Sequence, residues 1–439
     1  MQDTKRRLNS KAGIVKSSFT SSKLTLYSGL NVVAKYMNRQ GLIKTISKEF
    51  PTQRFNATKF DVNQIMLSVV LASMSGINRM CKISTFTNDG LVRSILKLTK
   101  GINENAISIG LKNLGQSGAR HLQSLLLSKN SGWLKEAGLE SITLDADSTV
   151  KSVCGNQQGA AKGFNTTKKG AKSYHPLLVF VSEMKLLYHS WFRTGSAYTS
   201  NGICEFLKEV EGSLPKKIKK VFFRADSGFF SGALLDILES FNWDYLIKVK
   251  LKNLVKLLEK QSWVVIDKKN NIAICEFEYK AGSWEKARVL KAIRTVKEYV
   301  ETDFFGISKT IPVYQYACYV SSYNELDAAE LHQSYKQRST SETWIEQVKG
   351  QAMAGATLTD DFWANDILWQ LSILAYNISV MMRNKNSKFK RQEHRTFVEW
   401  FINVPAKMVR SGHVTEIKMY EHHFYKKDWE ELDRLVSAA

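Results

Sequence analysis

Residues 141–150 read SITLDADSTV, and the rest of the fold can be built outward from this stretch. Ile142 and Leu144 alternate with Asp145 and Asp147, which is the two-residue period of a β-strand. The strand therefore places both carboxylates on one face. Acidic side chains are rarely buried without a partner, so an apolar strand that carries two of them needs a cation nearby. A divalent metal ion would meet that need, and so would a buried Arg or Lys.

The segments that follow predict an alternation of strands and helices. An antiparallel strand pair is expected at 174–182 and 185–192, followed by a helix near 200–211, a strand in KKVFFRADSGFF (219–230), a helix near 231–240 and a strand near 245–249. This order is that of an RNase H-like α/β core. The second strand of the core ends at Asp226, and the Ser-Gly after it predicts a turn that exposes the carboxylate. A helix cap is the alternative role for Asp226.

The segment 334–351, SYKQRSTSETWIEQVKGQ, predicts one helix with a polar face. At about 100° per residue, Tyr335, Arg338, Glu342 and Lys349 fall within roughly 60° of one another, opposite Trp344. One carboxylate among two cations and a phenol suits a site where a metal ion and phosphate oxygens meet. A solvated face with an Arg–Glu pair is the ordinary alternative.

Four carboxylates are therefore candidates for one site. Three of them are Asp147, Asp226 and Glu342. Asp145 is the alternative to Asp147, or a side chain that contacts the metal ligands without binding the metal itself. Together they supply the ligands for two Mg²⁺ ions, with Mn²⁺ as a substitute, which would activate a water or a 3′-hydroxyl and stabilise the leaving oxygen of a phosphodiester.

The distribution of charge points to a polyanionic partner. The chain has a net charge of +22, and residues 1–130 carry 20 Lys and Arg against 5 Asp and Glu. Such a one-sided excess is typical of nucleic-acid binding. A membrane partner is not expected, because the sequence has no run of 18 apolar residues and no signal-type core. The five separated cysteines fit a reducing compartment and predict neither a disulfide framework nor a zinc site.

The flanking regions read differently from the core. Helices at 89–97 and 104–113 predict a helix-turn-helix, with Lys112 and Arg120 near phosphates. The apolar helix 366–382 predicts either an internal core element or a subunit contact through Leu368, Leu371, Leu374 and Tyr376. The expected regions are a basic helical 1–135, the first part of the core at 136–250, an all-β insertion at 251–330, the Glu-bearing core helix at 331–355 and a helical 356–439.

Three motifs resemble one known family. TLDADST, RADSGFF and the Y-x2-R-x3-E-x6-K run are similar to the three catalytic segments of the DDE insertion-sequence transposases with the YREK signature, the IS-four-like group. LDADST and the following GNQQGA resemble its IS-thirteen-eighty branch. The likeness covers roughly 140–355 well, and the two ends only in size and helical character.

The resemblance implies roles for individual residues. Asp147, Asp226 and Glu342 take the place of the metal-binding triad, and Asp147 is preferred over Asp145 because Ser148-Thr149 follow it. Tyr335, Arg338 and Lys349 take the place of residues that contact DNA phosphates.

The implied protein cleaves and joins DNA at the terminal inverted repeats of its element, as a homodimer on DNA, in the nucleoid-containing cytoplasm of a bacterium. Another RNase H-like nuclease or resolvase and a domesticated, non-catalytic DNA-binding protein are the alternatives. Trp284, in the predicted insertion, is the candidate for stacking on a base, whereas Trp344 is expected in the core.

Overall fold

The computed structural model describes residues 23–50, 60–163, 165, 168–304, 307–412 and 414–438, and it confirms the predicted α/β fold class. Its centre is a mixed sheet of nine strands flanked by helices. Residues 1–22 and 51–59, which contribute to the basic charge of the N-terminal region, lie outside the described residues.

The N-terminal region is helical, as predicted. Its elements are β1 (Leu24–Thr25), α1 (Leu30–Arg39), α2 (Leu42–Glu49), α3 (Val62–Met74), α4 (Ile83–Thr87), α5 (Gly90–Leu96) and α6 (Glu104–Ala137). The Asn103 side chain caps α6 by accepting a hydrogen bond from the Ala106 N–H at 2.8 Å. Sequence reasoning ended this helix near Asn113, but it continues past a kink at Gly115, whose φ of 55° is accessible to glycine at little cost.

The predicted helix-turn-helix pair is present as α5 and the start of α6, but its two expected phosphate-binding cations contact the protein itself. The Lys112 Nζ lies 2.6 Å from the Asp360 carboxylate. The Arg120 guanidinium lies over the Trp363 ring. Helix α6 also packs on the C-terminal helical region. Much of it therefore belongs to the core of the protein and not to a separate DNA-recognition element.

The core follows the predicted order of strands and helices. Its elements are β2 (Ser141–Ser148), β3 (Lys151–Ser152), β4 (Ala161–Lys162), β5 (Lys172–Tyr174), β6 (Leu177–Val181), β7 (Leu186–Trp191), α7 (Ile203–Ser213), β8 (Lys220–Ala225), α8 (Gly232–Ser240) and β9 (Asp244–Lys248). Strand β2 is central: it pairs parallel with β8 and antiparallel with β6, and β9 continues parallel to β8. Strands β3, β5 and β4 form a separate small sheet.

Residues 251–330 are rich in strands, as expected, and they extend the central sheet. The elements are α9 (Leu254–Glu259), β10 (Val264–Asp267), β11 (Ile272–Tyr279), β12 (Arg288–Phe304) and β13 (Ile307–Ser321). Strand β13 pairs antiparallel with β9, so the strands of this region belong to the same hydrogen-bonded sheet as those of the core. Trp284 is only 6 % exposed and packs against Phe230 and Tyr279, which removes it as a base-stacking candidate.

The Glu342 segment is helical throughout but changes its pitch three times. It consists of α10 (Ala328–Lys336), a 3₁₀ turn (Gln337–Ser339), α11 (Thr340–Glu346) and a π-helical turn (Gln347–Gln351). Trp344 packs in the core against Phe180, as predicted. A uniform helix was expected here, and the observed changes of pitch alter the angles at which successive side chains leave the backbone.

The C-terminal region contains a β-hairpin in addition to the expected helices. Its elements are α12 (Phe362–Arg383), α13 (His394–Phe397) with a π-helical turn (Val398–Ile402), β14 (Ala406–Ser411), β15 (Val414–Met419) and α14 (Lys426–Ala438). Helix α12 packs against α3, α6 and β7. The residues proposed for a subunit contact are buried inside the chain, so the core alternative is the correct one for Leu368, Leu371, Leu374 and Tyr376.

Buried His394 makes the stability of this core dependent on pH. Its Nδ1 lies 2.9 Å from the Ser379 hydroxyl, and burial lowers its pKa from 6.5 to about 3. Between these values the unfolded chain binds the proton and the folded chain does not, so the free energy of unfolding falls as pH drops below about 6.5. We expect His394→Gln to reduce the slope of the unfolding free energy against pH, below pH 6.5, by up to about 1.4 kcal/mol per pH unit, as measured by urea unfolding. His422→Gln, at an exposed position, is the control. The same slope in the wild-type protein and both variants would contradict the assignment.

Candidate active site

Asp147 and Asp226 lie side by side at one edge of the central sheet. Strands β2 and β8 run parallel with Ala146 opposite Ala225, so the next residue on each strand is an aspartate. The carboxyl ends of adjacent parallel strands form the usual location of a functional site in α/β folds. The two aspartates that sequence reasoning chose are therefore brought together by the strand register itself.

The Asp147 carboxylate is almost buried and has two identified partners. Its Oδ2 lies 2.9 Å from the Arg338 guanidinium, and its Oδ1 accepts a hydrogen bond from the Ser148 N–H at 2.8 Å. Burial raises the pKa of Asp147 to about 6; Arg338 opposes this shift, and the negative charges of Asp226 and Glu342 add to it. The three carboxylates thus act on one another through space and favour a site that binds positive charge.

Asp226 follows β8 directly and is partly exposed. Its side chain accepts a hydrogen bond from the Gly228 N–H at 2.9 Å and caps a short 3₁₀ turn, Ser227–Phe229. The capping role and the site role are compatible here, because the turn orients the carboxylate at the edge of the sheet next to Asp147.

Glu342 lies in the first turn of α11 and is exposed. It borders an open depression together with Ile345, Glu346 and Lys349. Burial is the main cause of the raised pKa of Asp147, and the negative charge of Glu342 makes a small contribution in the same direction. Arg338, on the same segment, donates to the Ala146 carbonyl and so places this segment beside the end of β2.

The two cations of the same segment make contacts inside the protein. Arg338 is 6 % exposed and donates to the Ala146 carbonyl at 3.0 Å as well as to Asp147. Lys349 Nζ donates to the Thr149 hydroxyl and the Val150 carbonyl at 2.9 and 2.6 Å. Both side chains thereby fasten the Glu342 segment to the end of β2.

Tyr335 is half-buried and packs on the Tyr319 ring, with ring centroids 5.1 Å apart. Burial raises the pKa of its phenol, so the phenol is neutral at neutral pH and acts as a hydrogen-bonding group.

Asp145 has a structural role in this arrangement. It is fully buried, and Arg224 binds its two oxygens at 2.7 and 2.9 Å in a fork, while the Ser182 hydroxyl donates to the same carboxylate. Arg224 also donates to the Ser334 carbonyl at 3.1 Å. The pair therefore connects both aspartate-bearing strands to the helix that precedes Arg338, and both oxygens of Asp145 are taken up by Arg224.

The carboxylates fit a divalent cation by the chemistry of their oxygens. Among the residues that the structure describes, no three His, Cys, Asp or Glu side chains converge closely enough to hold an ion. Asp147 and Asp226 are nevertheless adjacent, Glu342 acts on Asp147, and the guanidinium of Arg338 provides the positive charge in their midst. Carboxylate oxygens are hard donors of the kind that Mg²⁺ and Mn²⁺ prefer.

Sequence reasoning missed a buried layer beneath Asp147. The Ser148 hydroxyl lies 3.1 Å from His175 Nε2 and 3.1 Å from the Thr199 hydroxyl. The Ala197 carbonyl lies 2.6 Å from His175 Nδ1, and burial lowers the pKa of this imidazole. The only signal in the sequence was a His-Pro pair before a strand, which equally predicts an ordinary turn.

Comparison with known proteins gives the class of the chain. The family described as Transposase DDE domain group 1 matches residues 9–437. The match covers almost the whole chain, so the protein belongs to this family of DDE transposases.

Two solved structures match the chain at low sequence identity. A piggyBac transposase synaptic complex with hairpin DNA, determined by cryo-electron microscopy, is 13 % identical over 85 % of this chain and 79 % of its own, with a TM-score of 0.47. A pre-cleavage Mos1 transpososome is 9 % identical over 44 % of this chain and 61 % of its own, with a TM-score of 0.17. No curated protein matches the chain. Within the described residues, no helix is long and apolar enough to cross a membrane.

Proposed function

We propose that this protein is the transposase of an insertion sequence and cleaves and joins DNA at the terminal inverted repeats of its element. The observation that carries the proposal is the position of Asp147 and Asp226 at adjacent parallel strand ends, with the charge of Glu342 acting on Asp147, in a chain of the DDE transposase family. The spacing of Tyr335, Arg338, Glu342 and Lys349 supports the YREK group, and LDADST with GNQQGA supports its IS-thirteen-eighty branch.

Asp147, Asp226 and Glu342 are proposed to hold two Mg²⁺ ions, or Mn²⁺ in their place. When bound, such ions lower the pKa of an attacking hydroxyl and stabilise the leaving oxygen in a phosphodiester displacement. The protein contributes the positions of the three carboxylates. The Ser148 N–H fixes Asp147, the turn at Gly228 fixes Asp226, and Arg338 with Lys349 fastens the segment that carries Glu342.

Tyr335, Arg338 and Lys349 are proposed to contact DNA phosphates beside the cut. Arg338 and Lys349 now bind Asp147 and carbonyls near the end of β2, so a phosphate would have to exchange with these partners. Charge-assisted contacts to phosphate oxygens are strong enough to compete with them.

The basic N-terminal region is proposed to recognise the repeats, in line with the family resemblance. Its excess positive charge attracts the phosphate backbone irrespective of sequence. Both ends of an element must meet for transposition, so a homodimer on DNA in a bacterial cytoplasm remains our expectation. The five sequence-derived regions, from 1–135 to 356–439, are retained as a proposed division of labour along the chain.

Cleavage of a duplex that carries the terminal repeat of the element tests the proposal. We expect cuts at the repeat boundary by the wild-type protein with Mg²⁺ or Mn²⁺ and none with EDTA, and we expect Asp147→Asn to bind the duplex without cutting it. A duplex of scrambled repeat sequence is the control substrate. Specific binding without cleavage by either protein would favour a domesticated DNA-binding protein, and cutting of branched DNA irrespective of the repeat would favour a resolvase.

A further inference from the structure

The loop 193–202 presents an exposed aromatic ring beside the proposed active site. Tyr198 is 71 % exposed. Its neighbour Thr199 donates to or accepts from Ser148, the residue after Asp147, with the hydroxyls 3.1 Å apart. A Cβ built on Gly228 would lie 3.1 Å from both Thr199 and the Asp226 carboxylate. The residue after Tyr198 therefore contacts the turns that hold both aspartates.

This loop is held firmly on both sides of Tyr198. Buried Arg193 donates to the Thr199 and Asn201 carbonyls at 3.4 and 2.6 Å. On the other side, His175 Nδ1 and the Ala197 carbonyl lie 2.6 Å apart. A buried arginine and a buried histidine thus fix the loop backbone, while the ring between these anchors stays in solvent. An exposed aromatic on an ordered loop is what stacking on an unpaired base requires, because little entropy is lost when the base binds.

A lysine-rich sheet lies next to the same loop. Residues 148–182, which include β3, β4 and β5, contain five Lys and no Asp or Glu. Lys162, Lys168 and Lys169 are exposed. The sheet contacts the loop closely, since a Cβ built on Gly195 would lie 1.9 Å from the Ser173 carbonyl of β5. The exposed lysines thus lie on a sheet that packs against the loop carrying Tyr198, and their charge suits a DNA backbone.

We propose that the loop 193–202 and the small sheet β3–β5–β4 bind an unpaired DNA strand beside the cleavage site, with Tyr198 stacking on one base. The inference rests on the proposed transposase function and adds to it a defined state of the substrate, an unpaired strand at the cut end. A lysine surface alone would bind duplex and single strand alike, so the preference for an unpaired base is assigned to Tyr198.

The base contact is tested with 2-aminopurine placed at successive positions next to the cut, in a repeat duplex with a short unpaired overhang. Binding is measured in Ca²⁺ on the Asp147→Asn protein, so that no cleavage intervenes. We expect this protein to quench the 2-aminopurine fluorescence at one position. Adding Tyr198→Ala should abolish that quenching and weaken overhang binding about tenfold, whereas adding Tyr198→Phe should preserve the quenching and the affinity. Tyr420→Ala, at a similarly exposed tyrosine in another region, is the matched control.

The lysine surface is tested by the salt dependence of binding to the same overhang. Replacing Lys168 and Lys169 by Ala should lower the slope of log Kd against log salt by about 1.4, the value for two phosphate contacts on a single strand. The same change at Lys426 and Lys427, an exposed pair on α14, should leave the slope unaltered.

The outcomes separate this inference from the proposed function. Suppose that the wild-type protein cleaves the repeat normally and that Tyr198→Ala changes neither the 2-aminopurine quenching nor the overhang affinity. This result would overturn the base contact alone. An unchanged salt slope in the double lysine variant would overturn the role of the small sheet. Absence of both repeat binding and cleavage in the wild-type protein would instead overturn the transposase proposal.

Discussion

Glu342→Gln is expected to lower the rate of metal-dependent repeat cleavage by about a thousandfold and to leave repeat binding nearly unchanged. The substitution keeps the size and hydrogen-bonding capacity of the side chain and removes the negative charge that acts on Asp147. Loss of one carboxylate ligand costs several kcal/mol of transition-state stabilisation, and about 4 kcal/mol corresponds to this factor. Single-turnover cleavage of the repeat duplex and its gel-shift affinity measure the two quantities.

Glu346 provides a matched control on the same face of the helix. It is exposed, lies one turn further along and borders the same depression, and its carboxylate accepts a hydrogen bond from Gln351. Glu346→Gln should cleave within about threefold of the wild-type protein, since a surface carboxylate contributes little at this distance. Equal loss of cleavage in both variants would show that the charge of the depression, and not Glu342 itself, is required.

Asp145→Ala is expected to destabilise the protein by about 3–5 kcal/mol, because it leaves the Arg224 guanidinium buried without a carboxylate. Within the described part of the chain, Arg224 then retains hydrogen bonds to the Ser334 carbonyl and the Ser182 hydroxyl and its position over the Phe222 ring. Urea unfolding followed by tryptophan fluorescence gives the change in the unfolding midpoint. The double variant Asp145→Leu with Arg224→Met removes both charges and should recover most of the loss, since apolar replacement of a buried pair is often neutral.

The same variants distinguish a structural Asp145 from a metal ligand. If the fork to Arg224 is its main role, the double variant should regain stability and retain measurable metal-dependent cleavage. A ligand role predicts the opposite pattern, in which Asp145→Ala is as stable as the wild-type protein and cleavage is lost in every Asp145 variant. Measurement of both properties on the same preparations avoids confusion between an unfolded and an inactive protein.

The sequence predicted the parts of the fold in which side-chain periodicity and chain order carry the information. Alternation in SITLDADSTV located β2, and the run to Asp226 located β8, so the adjacency of Asp147 and Asp226 followed from the geometry of neighbouring parallel strands. The polar face predicted from Tyr335 to Lys349 assumed a uniform helix, whereas the 3₁₀ and π-helical turns change the pitch along this segment and Arg338 is buried. The resemblance to DDE transposases agreed with the family to which the chain belongs, whereas the YREK group and its branch stay predictions.

Other features depend on contacts between distant segments, which no local pattern contains. The sequence left open whether Asp145 pairs with an arginine or a metal ion, and Arg224, 79 residues away, decides this through a buried fork. Trp284 had the composition of an exposed turn but lies under Phe230, and α12 is buried by α3 and α6. Tyr198 lies near the aspartates only because Thr199 meets Ser148 across the fold. Periodicity thus predicted most of the strands and helices, and the family resemblance supplied the proposed choice of acids. Tertiary packing decided which charges neutralise one another and which aromatic rings are exposed.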